Sequence, residues 1–227
     1  VSLVEAALGD WVNPDQREAA VLPDWQPLTE RVDVRIPMTE KHQSDLVIGT
    51  GGPPRSSEDF LPAAIGNQVL GKFGLMGRLG ERLREQAGLA YYVYSGLGSS
   101  IGPGAWLAAA GVAPQDLDQA VKIILAEIAR FTSEPVTAQE LADVQSFLIG
   151  SQPISLESNI GVASLLLHIE RHQLGLDYLQ RYPGLVEAVT PEMIQLAAAR
   201  YLRADRLAVV AAGGLEADRL QKEEGDE

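Results

Sequence analysis

In the stretch from Arg31 to Pro37, Val32, Val34 and Ile36 alternate with Asp33 and Arg35, the period of two expected of a half-buried strand. Ser44 to Thr50, S-D-L-V-I-G-T, reads as a second strand that Gly51-Gly52-Pro53-Pro54 halts. Ser56, Ser57 and Asp59 offer N-caps to a helix from about Phe60 to Leu70, in which Pro62 is tolerable only within the first turn. A glycine-rich joint, Gly71 to Gly77, leads into a short helix. Leu75, Leu79 and Leu83 recur there every fourth residue, with Arg78, Glu81, Arg82 and Glu85 around them and Gly88 as a left-handed cap. Tyr91 to Leu97 and Ala105 to Val112 read as strands joined, hairpin-like, through Gly98 to Gly104.

From Pro114 onward the period changes from two to 3.6. Leu117, Val121, Ile124, Ile128 and Phe131 form one apolar stripe, and Thr137-x-x-Glu140 is a capping box opening the next helix, which carries Leu141, Val144 and Leu148. Further helices are expected from about Glu157 to Leu174 and from Asp177 to Val189, the second interrupted by Pro183. Thr190-Pro191 starts another, and Arg206 to Ala212 reads as a buried closing strand. At the other end, Leu3, Ala7 and Leu8 share one side of a helix that stops at Gly9, followed by a proline-punctuated linker to Pro27. The expected organisation is a trailing helix and linker over 1–27, a domain over 28–214 and a polar acidic tail over 215–227, with Val1 read as a cut end. Locally pairing strands, a block of helices and a returning strand predict an α+β layered sandwich: an antiparallel or mixed sheet covered by helices on one face.

Composition narrows the function. The 227 residues are 46% hydrophobic and 22% charged, and no stretch approaches the roughly 20 unbroken apolar residues of a membrane span. A net charge of −13 argues against nucleic acid and anionic membrane surfaces, both of which need clustered Lys and Arg. The absence of cysteine removes disulfides, thiolate metal sites and a cysteine nucleophile.

Of the three histidines, His42, His168 and His172, the last two stand at i and i+4 in H-I-E-R-H, on one face of a helix as a zinc site would need. Glu170, however, falls about 200° round the helix from His168, away from any metal the pair shares. Gly74-x-x-Gly77-x-x-Gly80 follows no strand of a βαβ unit and lacks the Gly-Lys-Ser/Thr of a phosphate loop. No G-x-S-x-G elbow occurs. The chain alone therefore shows no catalytic engine, and a solvated or core-edge histidine pair is the default reading.

The segment from Gly77 to Gly96, G-R-L-G-E-R-L-R-E-Q-A-G-L-A-Y-Y-V-Y-S-G, places Arg84 at a helix end and Tyr91 seven residues later at a strand head. It resembles the C-terminal-half signature of the insulysin, pitrilysin and mitochondrial processing peptidase family of zinc metallopeptidases. The resemblance runs from L-V-E-A-A-L-G-D-W, like the last helix of a preceding homologous domain, to Y-P-G-L-V-E-A-V-T-P-E-M-I-Q-L-A-A-A-R-Y-L and the closing strand. At the joint, Lys72 and Phe73 depart from the further glycines or small residues of many relatives.

The resemblance implies a non-zinc-binding half: part of a peptide-bond hydrolase that lacks the H-x-x-E-H motif and supplies Arg84 and Tyr91 as catalytic and substrate-binding groups. It implies no cofactor on this chain and zinc in a homologous partner domain or subunit, in a dimer or pseudo-dimer that takes an extended peptide. On spacing alone, since Arg and Tyr are common, the preferred reading of Arg84 is one charge of a solvated helix face and that of Tyr91 is ordinary strand packing. Tyr92 and Tyr94 are expected on the opposite sheet face from Tyr91, as packing residues. A proteolytically silent scaffold of the same fold and an unrelated peptide-binding domain are the rival readings.

Overall fold

A computed structural model describes residues 2–17, 25–72 and 77–214. The centre of the joint (73–76, including Leu75), part of the linker and the polar tail lie outside the described residues. Helix α1 (Ser2–Leu8) buries none of its residues. Strands β1 (Val32–Pro37), β2 (Ser44–Gly51), β3 (Ala90–Leu97), β4 (Ala105–Val112) and β5 (Ala208–Gly213) form one sheet in the order β1-β5-β2-β4-β3. Only the β1–β5 pair is parallel, so the sheet is mixed.

Helices α2 (Phe60–Gly71), α3 (Gly77–Leu79), α4 (Leu117–Ser133), α5 (Ala138–Ser155), α6 (Asn159–Arg171), α7 (Tyr178–Glu187) and α8 (Pro191–Tyr201) complete the fold. Leu46 and Ile48 of β2, Ala108 and Ala110 of β4 and Val209 and Ala211 of β5 point into one core with Ile65 and Val69 of α2 and the stripe Leu117, Val121, Ile124, Ile128 and Phe131 of α4. The capping box holds as the spacing predicts: the Glu140 N–H donates to Thr137 Oγ1, and the Thr137 N–H to the Glu140 carboxylate. Thr190 caps α8 through the Met193 N–H. Asp59, at the N-cap of α2, makes no such bond and instead accepts from Arg200 and Tyr201 of α8.

Three expectations need correction. The helix around Leu79 and Leu83 is α-helical only over α3 and then widens into a π-helix, Gly80–Gln86. β1 is exposed throughout rather than half-buried, because it is an edge strand whose Val32, Val34 and Ile36 lie on the sheet face that no described helix covers. β5 alternates buried with half-buried residues, since every second side chain meets that same open face. Val47 and Tyr94 are exposed there too, and the Trp25 ring lies against Gly51 on it.

Candidate functional site

The free edge of β3 and the π-helix before it carry the two residues singled out by the sequence. Among the described residues β3 pairs with β4 on one side only. At its head, Ala90 faces Val112 and Tyr92 faces Gly111, which leaves Tyr91 as an extra, unpaired residue: a β-bulge. A bulge twists the strand and re-aims the inserted side chain, and that of Tyr91 stands in solvent, 62% exposed. Val93, two residues on, is sealed in the core, so ordinary strand packing does not account for the placement of Tyr91.

The π-helix closes through an i to i−5 bond from the Ala87 N–H to the Arg82 carbonyl. Gly88 then turns at φ +67°, and the Leu89 N–H returns to the Leu83 carbonyl, delivering the chain into β3. Leu79 and Leu83 are fully buried, which turns Arg84 outward on an exposed surface of the same unit. Six residues, 85–90, connect Arg84 on the π-helix to Tyr91 at the head of the strand.

Two ion-pair clusters that sequence reasoning missed fasten this unit. Arg78 Nε and Nη2 donate to the two Glu140 carboxylate oxygens at 2.6 and 2.7 Å, and the Arg78 guanidinium lies 5.8 Å from the centre of the Phe131 ring. Burial pushes the Glu140 carboxyl up, but the hydrogen bonds from Arg78 and Thr137 and the Arg78 charge outweigh it and hold the group at about 2. Glu127 of α4, only 3% exposed, accepts from Arg130 Nε and Nη2 at 3.0 and 2.8 Å and lies 3.5 Å from Arg82 Nε on the π-helix. The only signal for either cluster was Glu140 in the capping box, and its second role depends on α3 packing against α5.

Tyr92 and Tyr94 stand on the open face, as their parity predicts, with ring centres 6.2 Å apart. The Tyr92 ring passes over Gly111, where a Cβ would sit 2.4 Å from Cε1, and its hydroxyl donates to Asp45 of β2 at 2.7 Å. Burial, the Asp45 bond and the Asp45 charge raise the Tyr92 phenol to about 12.

The His168 and His172 rings are 4.7 Å apart, with His172 Nε2 3.5 Å from Ser99 Oγ. Burial, then the Arg55 charge, lowers both imidazoles below their ordinary value. Two imidazoles beside a guanidinium make a poor zinc site, and no group of three His, Asp or Glu side chains converges anywhere among the described residues.

The pattern of the family described as "Peptidase M16 inactive domain" matches residues 1–148. This chain belongs to that family. The M16 inactive domain from Pseudomonas fluorescens superposes with a TM-score of 0.76 at 26% identity, over 87% of this chain and 46% of that one. A protease from Helicobacter pylori gives 0.81 at 18%, over 93% and 51%, and the periplasmic protease PqqL from Escherichia coli gives 0.74 at 19%, over 94% and 23%. No curated protein sequence matches. The chain thus spans about half the length, or less, of these structures. It is an M16 inactive domain of the zinc-protease kind, with the α+β architecture of its relatives. No helix among its described residues is long and apolar enough to cross a membrane.

Proposed function

We propose that this M16 inactive domain is the substrate-binding half of a two-part zinc metalloendopeptidase, lending Arg84 and Tyr91 to a reaction whose zinc is held by a homologous domain or subunit. The observation that carries the reading is the bulge that turns Tyr91 out of the head of a strand whose other edge is free. Unpaired backbone groups along such an edge accept an extended peptide as an added strand, giving affinity that depends little on side chains. In the partner half, zinc supplies the activated water. The Tyr91 hydroxyl donates a hydrogen bond to the oxyanion that forms on the attacked carbonyl, without itself ionising. Arg84 adds a fixed positive charge and planar donors beside it.

The domain over 28–214 carries this function, with 1–27 as the end of a preceding unit and 215–227 as a tail. The fully exposed α1 and the uncovered apolar sheet face support the need for a companion. So do relatives about twice and about four times as long that are themselves described as proteases.

The test mixes this chain with a zinc-bearing H-x-x-E-H half and follows cleavage of an unstructured peptide. Activity is expected only in the mixture, and Tyr91→Phe is expected to lower turnover about 100-fold with folding unchanged. Turnover in that variant equal to wild type overturns the role of Tyr91, and a mixture that never cleaves assigns the fold to a silent scaffold instead.

A further inference from the structure

Beyond the tail of β3 lies a second constellation. The strand runs about 20 Å from Tyr91 to Leu97, and the loop after it is tied by the Ser100 carbonyl to the Arg55 N–H. The Arg55 guanidinium lies 4.8 Å from the Phe60 ring centre and 5.6 Å from that of Tyr178, and its Nη2 donates to the Tyr178 hydroxyl at 2.9 Å. That is the only side-chain hydrogen bond Arg55 makes among the described residues, although a guanidinium has five N–H donors. No carboxylate of the described residues pairs with it, in a chain whose net charge is −13. Asp59 is engaged with Arg200 and Asp177 with Arg181, and Glu58, on the wall of the same cavity, makes no ion pair with Arg55. Two aromatic rings therefore hold an unneutralised cation in place. Tyr178, accepting from Arg55, keeps its own proton to donate.

Arg55 and Tyr178 stand on the wall of a cavity of about 330 Å³ between the start of α2 and helices α7 and α8. The rest of the wall is chiefly apolar, from Leu61, Pro62, Leu185, Val189 and Met193. The volume is at the low end for ligand pockets, about 300–1,000 Å³, and suits one or two peptide residues. Two donors beside an apolar wall select a ligand that carries a negative charge and a hydrocarbon group close together. Glu58 also lines the cavity and Arg181 is already opposed by Asp177, so the wall has no cation left for a second negative charge beyond the one that Arg55 takes.

From this geometry we infer that the cavity captures the C-terminal residue of a peptide, with the free carboxylate on Arg55 and Tyr178 and an apolar side chain against Leu61, Leu185 and Met193. A terminal residue puts both groups on one carbon and needs no exit for a continuing chain. The site goes beyond the role proposed for Arg84 and Tyr91, and its occupancy is read as binding, so cleavage need not be measured.

The experiment titrates the full chain, by calorimetry, with N-acetyl-Ala-Leu as free acid and as amide, and separately with octanoate and with inorganic phosphate. The free acid is expected to bind about tenfold more tightly than the amide, the difference a charge-assisted hydrogen bond makes. Arg55→Lys, which keeps the charge but loses the planar fork, and Tyr178→Phe are each expected to weaken the acid and leave the amide unchanged, with the circular dichroism of wild type. Equal binding of acid and amide, or full binding by both variants, overturns the proposal. Tighter Arg55-dependent binding of octanoate or phosphate than of the peptide acid also overturns it, reassigning the site to a fatty acid or a phosphate.

Discussion

Arg78 and Glu140, 62 residues apart in sequence, meet in a two-pronged ion pair that fastens the start of the π-helical unit to the first turn of α5. The Arg78 side chain is almost wholly buried and Glu140 partly so. Glu140 thus has two duties: it closes the capping box with Thr137 and it neutralises the guanidinium that lies over Phe131. Removing either partner leaves a charge or its hydrogen-bond donors in a poorly solvated place.

Glu140→Ala is therefore expected to cost about 3 kcal/mol, the scale for breaking a buried pair from one side. The same pair sets a pH dependence. A carboxyl whose folded value, about 2, lies below the ordinary 4.5 adds stability that is fully present above about pH 5 and is lost as pH falls toward 2. Denaturant unfolding of wild type and Glu140→Gln between pH 7 and 2.5 checks this: the variant, already destabilised, is expected to lose less on acidification.

Gly77 opens α3 at φ +62°, and a Cβ there would lie 2.5 Å from the Val69 carbonyl oxygen. Gly77→Ala meets both backbone strain and a clash with rigid backbone, so a loss of about 1–3 kcal/mol or more is expected. Thermal melts give the magnitude. An unchanged melting temperature would mean that the joint adopts another path.

Tyr92 is expected to titrate near pH 12 in an absorbance titration, because burial and then the bond to Asp45 and its charge oppose the phenolate. Asp45→Asn should bring that step down toward the ordinary value. A phenol raised on folding contributes stability below about pH 10 that is lost as pH climbs through 12, so wild type should weaken with alkali more steeply than Tyr92→Phe.

Trp106 is fully buried, and its indole N–H donates to Asn67 Oδ1 at 3.2 Å. Asn67→Leu strands that donor in the core, with an expected cost of about 1–3 kcal/mol. Equilibrium unfolding measures it, and Trp106→Phe in the same background, which removes the stranded donor, should recover part of the loss.

Much of the fold was legible locally. The α4 stripe, the capping box, the Thr190 cap and the Gly88 turn each depend on residues within a few positions of one another, and each has the place its spacing predicts. The π-helix was not legible, because Leu79 and Leu83 at a spacing of four fit an α-helix equally well. The segment is fastened at Arg78 to α5 and at Arg82 to α4, contacts made across long stretches of chain that the spacing does not record. The exposure of β1 was hidden for a similar reason: alternation marks which side chains share a face, and only the strand order says whether that face is covered.

The order of side chains along the chain determined which residues could cap, turn or line a face, and it placed Arg84 and Tyr91 seven positions apart beside a glycine that allows a tight return. Only the folded chain decided that Tyr91 is a bulged residue on a strand edge left free by the described residues, and that Arg55 stands by two rings with no carboxylate of those residues paired to it. Both depend on register and on neighbours far away in sequence. Spacing along one segment encodes local geometry, whereas which partner arrives from elsewhere, and which does not, is settled by packing all the segments against one core.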